Sequence, residues 1–403
     1  MFNVKRIVLC FLVFSLIFST TVSAKQIASE CDISDIEEPF TSVETNAAVG
    51  QTLDIKAKSV ILMEPNTGEI LYENNADEQL PPASITKIMS LLLVFEALDR
   101  KDITLETVVT ASEHACSMGG SQIWLEPGES MTVDELLKAS VIASANDACV
   151  ALGELIAGSE EGFVAQMNER AKQLGMNNTT FINCTGLDAQ GHLTTAHDVG
   201  IMSCELIKHD LVKNYSTVWM DSLRNGESEL VNTNKLVRFY KGTTGLKTGT
   251  TGSAKYCLSA TAERDGLELV AVVMAGESSD ARFSGAKKLL DYGFANFSFT
   301  NVSADLKENT KDIKNGTKRY VNITADERLN VLLPKSQKPE IKRIIEWNKD
   351  IKAPIKKGDV LGYVNVYMND NEIGSIPIKA STSVKKLTIL TAMLQIFKEI
   401  FKL

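Results

Sequence analysis

The sequence predicts an α+β fold followed by a small all-β unit. Helical patterns stand before and after a run of antiparallel strand patterns, and short alternating runs come last. Leu80 to Leu98, LPPASITKIMSLLLVFEAL, is apolar on almost every face, which predicts a buried helix. From Leu236 to Gly276, RFYKG, KYCLSATAER and LELVAVVMAG read as strands, with Asp265-Gly266 as the hairpin turn joining the last two. After Phe299 the composition turns rich in lysine and asparagine, with alternating runs such as YVNIT and YVNVY.

Taken in order, residues 1–24 read as a signal peptide. Lys5 and Arg6 precede an apolar run from Ile7 to Phe18, and Val22-Ser23-Ala24 offers a small-residue cleavage site. The bulk of the chain is therefore expected outside the cytoplasm, at the outer face of the cytoplasmic membrane. Residues 25–50 are acidic and aperiodic and read as a flexible leader. The first domain is drawn as 51–299. It opens on AKSVILME and ILYENN around the turn Pro65-Asn66-Thr67-Gly68, and the buried helix follows. Val133 to Gly158 is helical but broken at Ser144-Ala145-Asn146. Glu161 to Leu174 is a helix with Gly175 as its cap. RFSGAKKLLDYGFANF, Arg282 to Phe297, is the closing helix. The β unit is drawn as 300–382, with Asn369-Asp370-Asn371 as a hairpin turn. Residues 383–403 form a cationic amphipathic helix. Its polar residues fall on one side, and residues 385–403 carry four lysines against Glu399. Its uncharged run is too short to span a bilayer, so it is expected to lie in a membrane surface.

The 403 residues allow two or three domains. Loss of residues 1–24 removes two positive charges and no negative one, taking the formal charge from −9 to about −11. An acidic body excludes a basic nucleic-acid footprint. Six cysteines remain, with no CxxC pair and only four histidines in the chain, so no metal site is expected and the thiols read as mostly free and buried.

The candidate chemistry starts at Lys87, the one charge between Ser84 and Phe95. Ser84 lies three residues before it, on the same helix face. Burial disfavours an ammonium, so Lys87 is suited to accept the serine proton. Ser144-Ala145-Asn146 interrupts a helix, and Lys247-Thr248-Gly249 is expected to start a strand whose glycine lets a peptide backbone come close. The order SxxK, SxN, KTG is the signature of penicillin-interacting serine enzymes. Gly-x-Ser-x-Gly and HExxH are both absent.

With these motifs, and with PPASITKIMS, IASANDACVALGE, NCTGLDAQGHLTTAHDV, GLKTGTTGSAKYCLSATA and IKAPIKKGDVLGYVNV, the chain resembles the serine D-alanyl-D-alanine carboxypeptidases, the low-molecular-mass penicillin-binding proteins. The resemblance implies a penicillin-binding/β-lactamase-like transpeptidase domain, a C-terminal β domain and a membrane-anchor helix. It implies that Ser84 attacks the carbonyl between the two terminal D-alanines of a peptidoglycan stem pentapeptide, with Lys87 as base. Ser144 would relay a proton to the leaving amine, and Asn146 would hold the substrate amide. Lys247 would support that network and help keep Lys87 neutral. The N–H groups of Ser84 and Thr250 would form the oxyanion hole, and Thr248 and Arg282 would bind the terminal carboxylate. No metal or organic cofactor is implied, and β-lactam antibiotics would be covalent inhibitors. A class A β-lactamase fits less well, because no Glu-x-x-x-Asn block lies between Asn146 and Lys247 and the β unit is extra.

Overall fold

The computed structural model of the chain describes residues 40–41, 52–336, 340–393 and 397. Its central sheet contains β1 (Ser59–Met63), β2 (Ile70–Asn74), β3 (Thr243–Thr251), β4 (Lys255–Arg264) and β5 (Leu267–Gly276). The order is β2-β1-β5-β4-β3, antiparallel throughout, so β3 is an edge. Side chains alternate between two cores, as the period of a strand requires. Ile61, Met63, Val270 and Val272 face one apolar cluster, and Val60, Leu62, Leu269 and Ala271 face the other. Both faces are covered, which is why these strands read as continuous apolar runs.

The first face carries α1 (Lys87–Asp99), α2 (Asn146–Ala157), α3 (Glu160–Gln173) and α4 (Ala196–Leu206); α5 (Ser279–Asn296) covers the second. Helix α1 is buried from Lys87 to Phe95, in keeping with its all-round apolar sequence. Gly175 takes φ +78 after α3. The β4–β5 hairpin pairs Arg264 with Leu267, leaving Asp265 and Gly266 at φ 52 and 78, the two-residue turn that Asp-Gly favours. RFYKG is not a strand. Leu236–Phe239 is a short helix, and β3 begins at Thr243, which places Lys247 in mid-strand. Thr243 Oγ1 donates to the carbonyls of Leu236 and Tyr240, closing the helical turn before the strand starts.

The β unit contains β6 (Phe297–Ser303), β7 (Thr310–Asp312), β8 (Tyr320–Thr324), β9 (Arg328–Pro334), β10 (Ile341–Trp347), β11 (Val360–Met368) and β12 (Asn371–Ala380). Five strands form a sheet in the order β7-β8-β12-β11-β10, while β6 pairs with β9. Asn369 and Asp370, both at positive φ, form the two-residue turn between β11 and β12. The boundary expected at 299/300 falls inside β6. Phe297 and Leu332 pack into the core of the first domain, whereas Val302, Val331 and Leu333 pack into that of the β unit.

Phe40 and Thr41, drawn within the flexible leader, pair in parallel with Asn330 and Val331; the signal peptide and the rest of the leader lie outside the described residues. At the other end the β unit continues past 382, since Val384 bridges to Ile355 and Lys386 to Gly316. A helical turn starts at Ile389 rather than 383, capped by Thr388, whose Oγ1 accepts from the Thr391 N–H at 3.2 Å. Ile389, Leu390 and Met393 are exposed on it, and the rest of the expected helix, apart from Phe397, lies outside the described residues. Among the described residues no helix is long and apolar enough to cross a membrane.

Candidate active site

Ser84 sits in a 3₁₀ turn, Ala83–Thr86, and Lys87 is the first residue of α1. In a 3₁₀ turn side chains three apart eclipse, so the two groups are stacked by the backbone itself. Lys87 Nζ lies 3.0 Å from Ser84 Oγ, 2.5 Å from Asn146 Oδ1 and 2.8 Å from the Thr185 carbonyl. Two of these partners, the amide oxygen and the peptide carbonyl, can only accept. A neutral amine must give them its two hydrogens, and its lone pair is left facing the serine hydroxyl, the one partner able to donate. Burial lowers the Lys87 pKa to about 8, so the neutral form is accessible near physiological pH.

The second motif lies where a helix is made to fail. Helix Val133–Lys138 opens on a capping box between Thr132 and Glu135 and then widens into a π turn over Ala139–Ala143. Ser144 follows in the left-handed region, φ 64 and ψ 29, and Ala145 is extended before α2 begins at Asn146. A serine held there is a strained position of the kind found at functional sites. Asn146 is fixed from both ends, its Nδ2 donating to the Gly119 carbonyl (2.6 Å) and its N–H to that of Ser121 (2.7 Å). Asp147 Oδ2 accepts the N–H groups of Ile123 and Leu125, both at 3.1 Å, and ties the same loop down. Ser144 is buried, and among the described residues no side-chain hydrogen bond links it to Lys87 or Lys247.

The third motif supplies the wall. Lys247 is buried, and its Nζ donates to the Thr248 carbonyl at 3.3 Å. Burial first, then repulsion from Lys87 and Arg282, pushes its pKa well below the usual lysine range. Desolvation is likewise the leading cause of the Lys87 shift, so burial rather than Lys247 does most of what the resemblance assigned to Lys247. Thr248 Oγ1 donates to Thr233 Oγ1 at 2.7 Å. Gly249 has a role beyond substrate approach. A Cβ there would lie 2.9 Å from Ser84 N and 3.0 Å from Ile85 N, so the chain's own nucleophile turn needs the space.

Arg282, at the start of α5, is buried. Its Nη1 donates to the Gly249 carbonyl (3.0 Å) and to Thr250 Oγ1 (2.9 Å), and its guanidinium lies over the Phe283 ring. Ser84, Lys87 and Asn146 are thus joined directly, and so are Gly249, Thr250 and Arg282. The missing Gly249 side chain brings the two groups together.

Several contributors escaped the sequence reading. Gly186, at φ +87, backs the nucleophile turn so closely that a Cβ would fall 1.8 Å from the Ala83 carbonyl oxygen. His192 lies 2.9 Å from Thr86 Oγ1, inside the SxxK turn, and its Nδ1 accepts from the Ile182 N–H at 3.3 Å. That leaves Nε2–H to donate to Thr86, and burial depresses the imidazole pKa to about 4. The only available sequence signal was Gly186 within NCTGLDAQG; a lone histidine and a peptide carbonyl leave none. Five cysteines, Cys116, Cys149, Cys184, Cys204 and Cys257, are free, and Cys31 lies outside the described residues.

A serine stacked on a desolvated lysine, an asparagine on the interrupted helix and a KTG edge strand define a penicillin-interacting serine enzyme. Residues 44–278 match the D-alanyl-D-alanine carboxypeptidase family, and residues 298–386 match the C-terminal domain of penicillin-binding protein 5. The chain belongs to the D-alanyl-D-alanine carboxypeptidase family. It is 42% identical to the D-alanyl-D-alanine carboxypeptidase DacF of Bacillus subtilis, over 83% of this chain and 88% of that one. Among solved structures, PBP3 of Streptococcus pneumoniae, described as a peptidoglycan synthesis regulatory factor, superposes with a TM-score of 0.71 at 29% identity, covering 83% of this chain and all of the other. Penicillin-binding protein D2 of Listeria monocytogenes, solved in an ampicillin-bound form, superposes at 0.56 with 32% identity, over 60% of this chain and all of that one. The protein is a serine-type hydrolase of the cell wall that removes the terminal D-alanine of peptidoglycan stem peptides.

Proposed function

We propose that Ser84 is the nucleophile that forms the acyl-enzyme and that Lys87 is its general base. The observation that carries this reading is the set of three contacts at Lys87 Nζ, of which Asn146 Oδ1 and the Thr185 carbonyl can only accept and Ser84 Oγ can donate. The Ser84 proton moves to Lys87 Nζ as Oγ attacks the penultimate D-alanine carbonyl, and the N–H groups of Ser84 and Thr250 receive the oxyanion. Ser144 passes a proton to the leaving D-alanine amine, with Lys247 on the adjoining strand as its hydrogen-bonding support. Asn146 and the β3 edge hold the stem peptide as an added strand. Arg282, fixed over Gly249 and Thr250, attracts the terminal carboxylate together with Thr248. Water then releases the tetrapeptide. β-Lactams acylate the same serine, a reading supported by the ampicillin-bound relative. The test is mass spectrometry of residues 25–384 after benzylpenicillin, with D-alanine release from a pentapeptide measured in parallel. An adduct on any residue but Ser84 overturns the assignment, and faster cleavage of cross-linked dimers than of pentapeptides makes the enzyme an endopeptidase.

The protein works at the outer face of the cytoplasmic membrane, exported by residues 1–24 and held there by the C-terminal amphipathic segment. The exposed Ile389, Leu390 and Met393 support the second half of this reading. Deletion of 385–403 is expected to abolish binding to anionic vesicles; full retention overturns it.

A further inference from the structure

Strand β10 ends the five-stranded sheet of the β unit, and among the described residues no strand pairs with its outer edge. Such an edge is normally blunted, because unpaired N–H and C=O groups template another strand. Here it is seven residues long, and its five inner residues, Lys342 to Glu346, are all exposed. Ile344 is 54% exposed on one face of the strand and Ile345 44% on the other. Ile345 stands opposite the buried Val364, so the core of the β unit reaches this strand and stops short of covering it.

The sequence of the strand, Ile-Lys-Arg-Ile-Ile-Glu-Trp, is complementary to itself when reversed about Ile344. Antiparallel pairing of two copies about a two-fold axis at Ile344 sets Lys342 opposite Glu346 twice, Ile341 opposite Trp347 twice, Arg343 opposite Ile345 twice, with the Arg343 stem lying along the isoleucine, and Ile344 opposite itself. Every pair keeps its side of the sheet, because residues opposite one another in an antiparallel ladder share a face. Moving the axis to Ile345 sets Glu346 opposite Ile344 and breaks both charge pairs. Among the described residues Lys342 and Glu346 have exposed local partners to share, Asp370 at 2.5 Å and Asn365 Nδ2 at 3.2 Å.

We propose that β10 is a dimerisation edge that receives a second copy of this chain, joining two five-stranded sheets into one. A two-fold interface of this kind uses the same patch on both subunits and closes after one addition, so it makes dimers and not fibres. The active site, built on the other domain, is left free.

The test is disulfide trapping of the full chain with a small-molecule disulfide as oxidant. Two thiols lose two protons and two electrons to form the cross-link, and the reagent is reduced to its thiols. In an I344C variant the two sulfurs face each other at the spacing of opposed residues, which suits a disulfide. In K342C alone the two thiols stand four residues out of register, roughly 13 Å apart, beyond disulfide reach. The expected result is covalent dimer from I344C, none above the parent chain from K342C alone, and dimer again when K342C is mixed with E346C. Charge reversal K342E is expected to weaken association about tenfold, and K342E/E346K to restore it. Penicillin acylation at wild-type rate verifies that each variant is folded. No cross-link from I344C, equal yields from I344C and K342C, or failure of the double reversal to restore association overturns the proposal.

Discussion

Lys87 Nζ and the hydroxyl of Ser84 lie 3.0 Å apart, and the two remaining directions at Nζ are taken by acceptors that cannot donate. The pair is therefore directional as well as close, and its chemistry depends on one proton.

With the Lys87 pKa at about 8, the fraction of neutral amine rises as pH rises through that value. The acylation rate by penicillin is expected to climb with pH up to about 8 and level off above it, measured in the free enzyme by rapid quench. Lys87→Gln keeps the volume and removes the base, and acylation is expected to fall about 10³-fold, the middle of the range for a general base. A flat profile from pH 6 to 9 would remove Lys87 from that role.

Two glycines crowd the nucleophile turn and should fail differently. Gly186→Ala meets the Ala83 carbonyl at 1.8 Å in a left-handed backbone, and the loss of stability is expected to be about 3 kcal/mol or more by denaturant titration. Gly249→Ala puts a Cβ 2.9 Å from the backbone N of Ser84, so the nucleophile turn itself must shift. Acylation is expected to slow about 10²-fold, with a stability loss smaller than that of Gly186→Ala because Gly249 carries no left-handed backbone and its contact is longer. Equal stability losses in the two variants would contradict this.

Arg282→Gln removes the guanidinium that rests on Gly249 and Thr250. A charge-assisted hydrogen bond contributes about 1.5–3 kcal/mol, so kcat/KM on a pentapeptide is expected to drop roughly 10- to 150-fold. The loss should shrink for a stem peptide amidated at its C-terminus. If the amide substrate loses as much as the acid, Arg282 does not bind the carboxylate.

His192 links activity to acid stability. Its folded pKa of about 4 lies below the ordinary value of 6.5, so the unfolded chain takes up a proton first as pH falls. Stability from this group is fully present above pH 6.5 and drains away between 6.5 and 4, by up to about 3 kcal/mol. Denaturant midpoints of the wild type should fall across that window more steeply than those of His192→Gln. Parallel curves would rule this histidine out as the cause.

Much of this was legible in the chain because the relevant signals are local. The Asp265-Gly266 and Asn369-Asp370 turns follow from the backbone those residues tolerate, and α1 from its apolar run. Ser84, Lys87 and Asn146 were legible as motifs. What could not be read are groups that act through the backbone or through burial. The Thr185 carbonyl has no residue signature, and nothing in the neighbours of Arg282 announces its burial against Gly249 and Thr250, so only the family resemblance points to it. RFYKG misled because its alternation reflects a short helix whose aromatic side chains lie partly on the surface.

The ribbon of β6 and β9 carries Phe297, Phe299 and Leu332 on one side and Val302, Val331 and Leu333 on the other, each side sealing a different core. The two halves of the protein are thus not beads on a string. A cut at 299/300 would strip Leu332 from the peptidase and bare its underside, so calorimetry of the intact chain should trace a single cooperative endotherm. The appended β unit serves as the floor of the enzyme it follows.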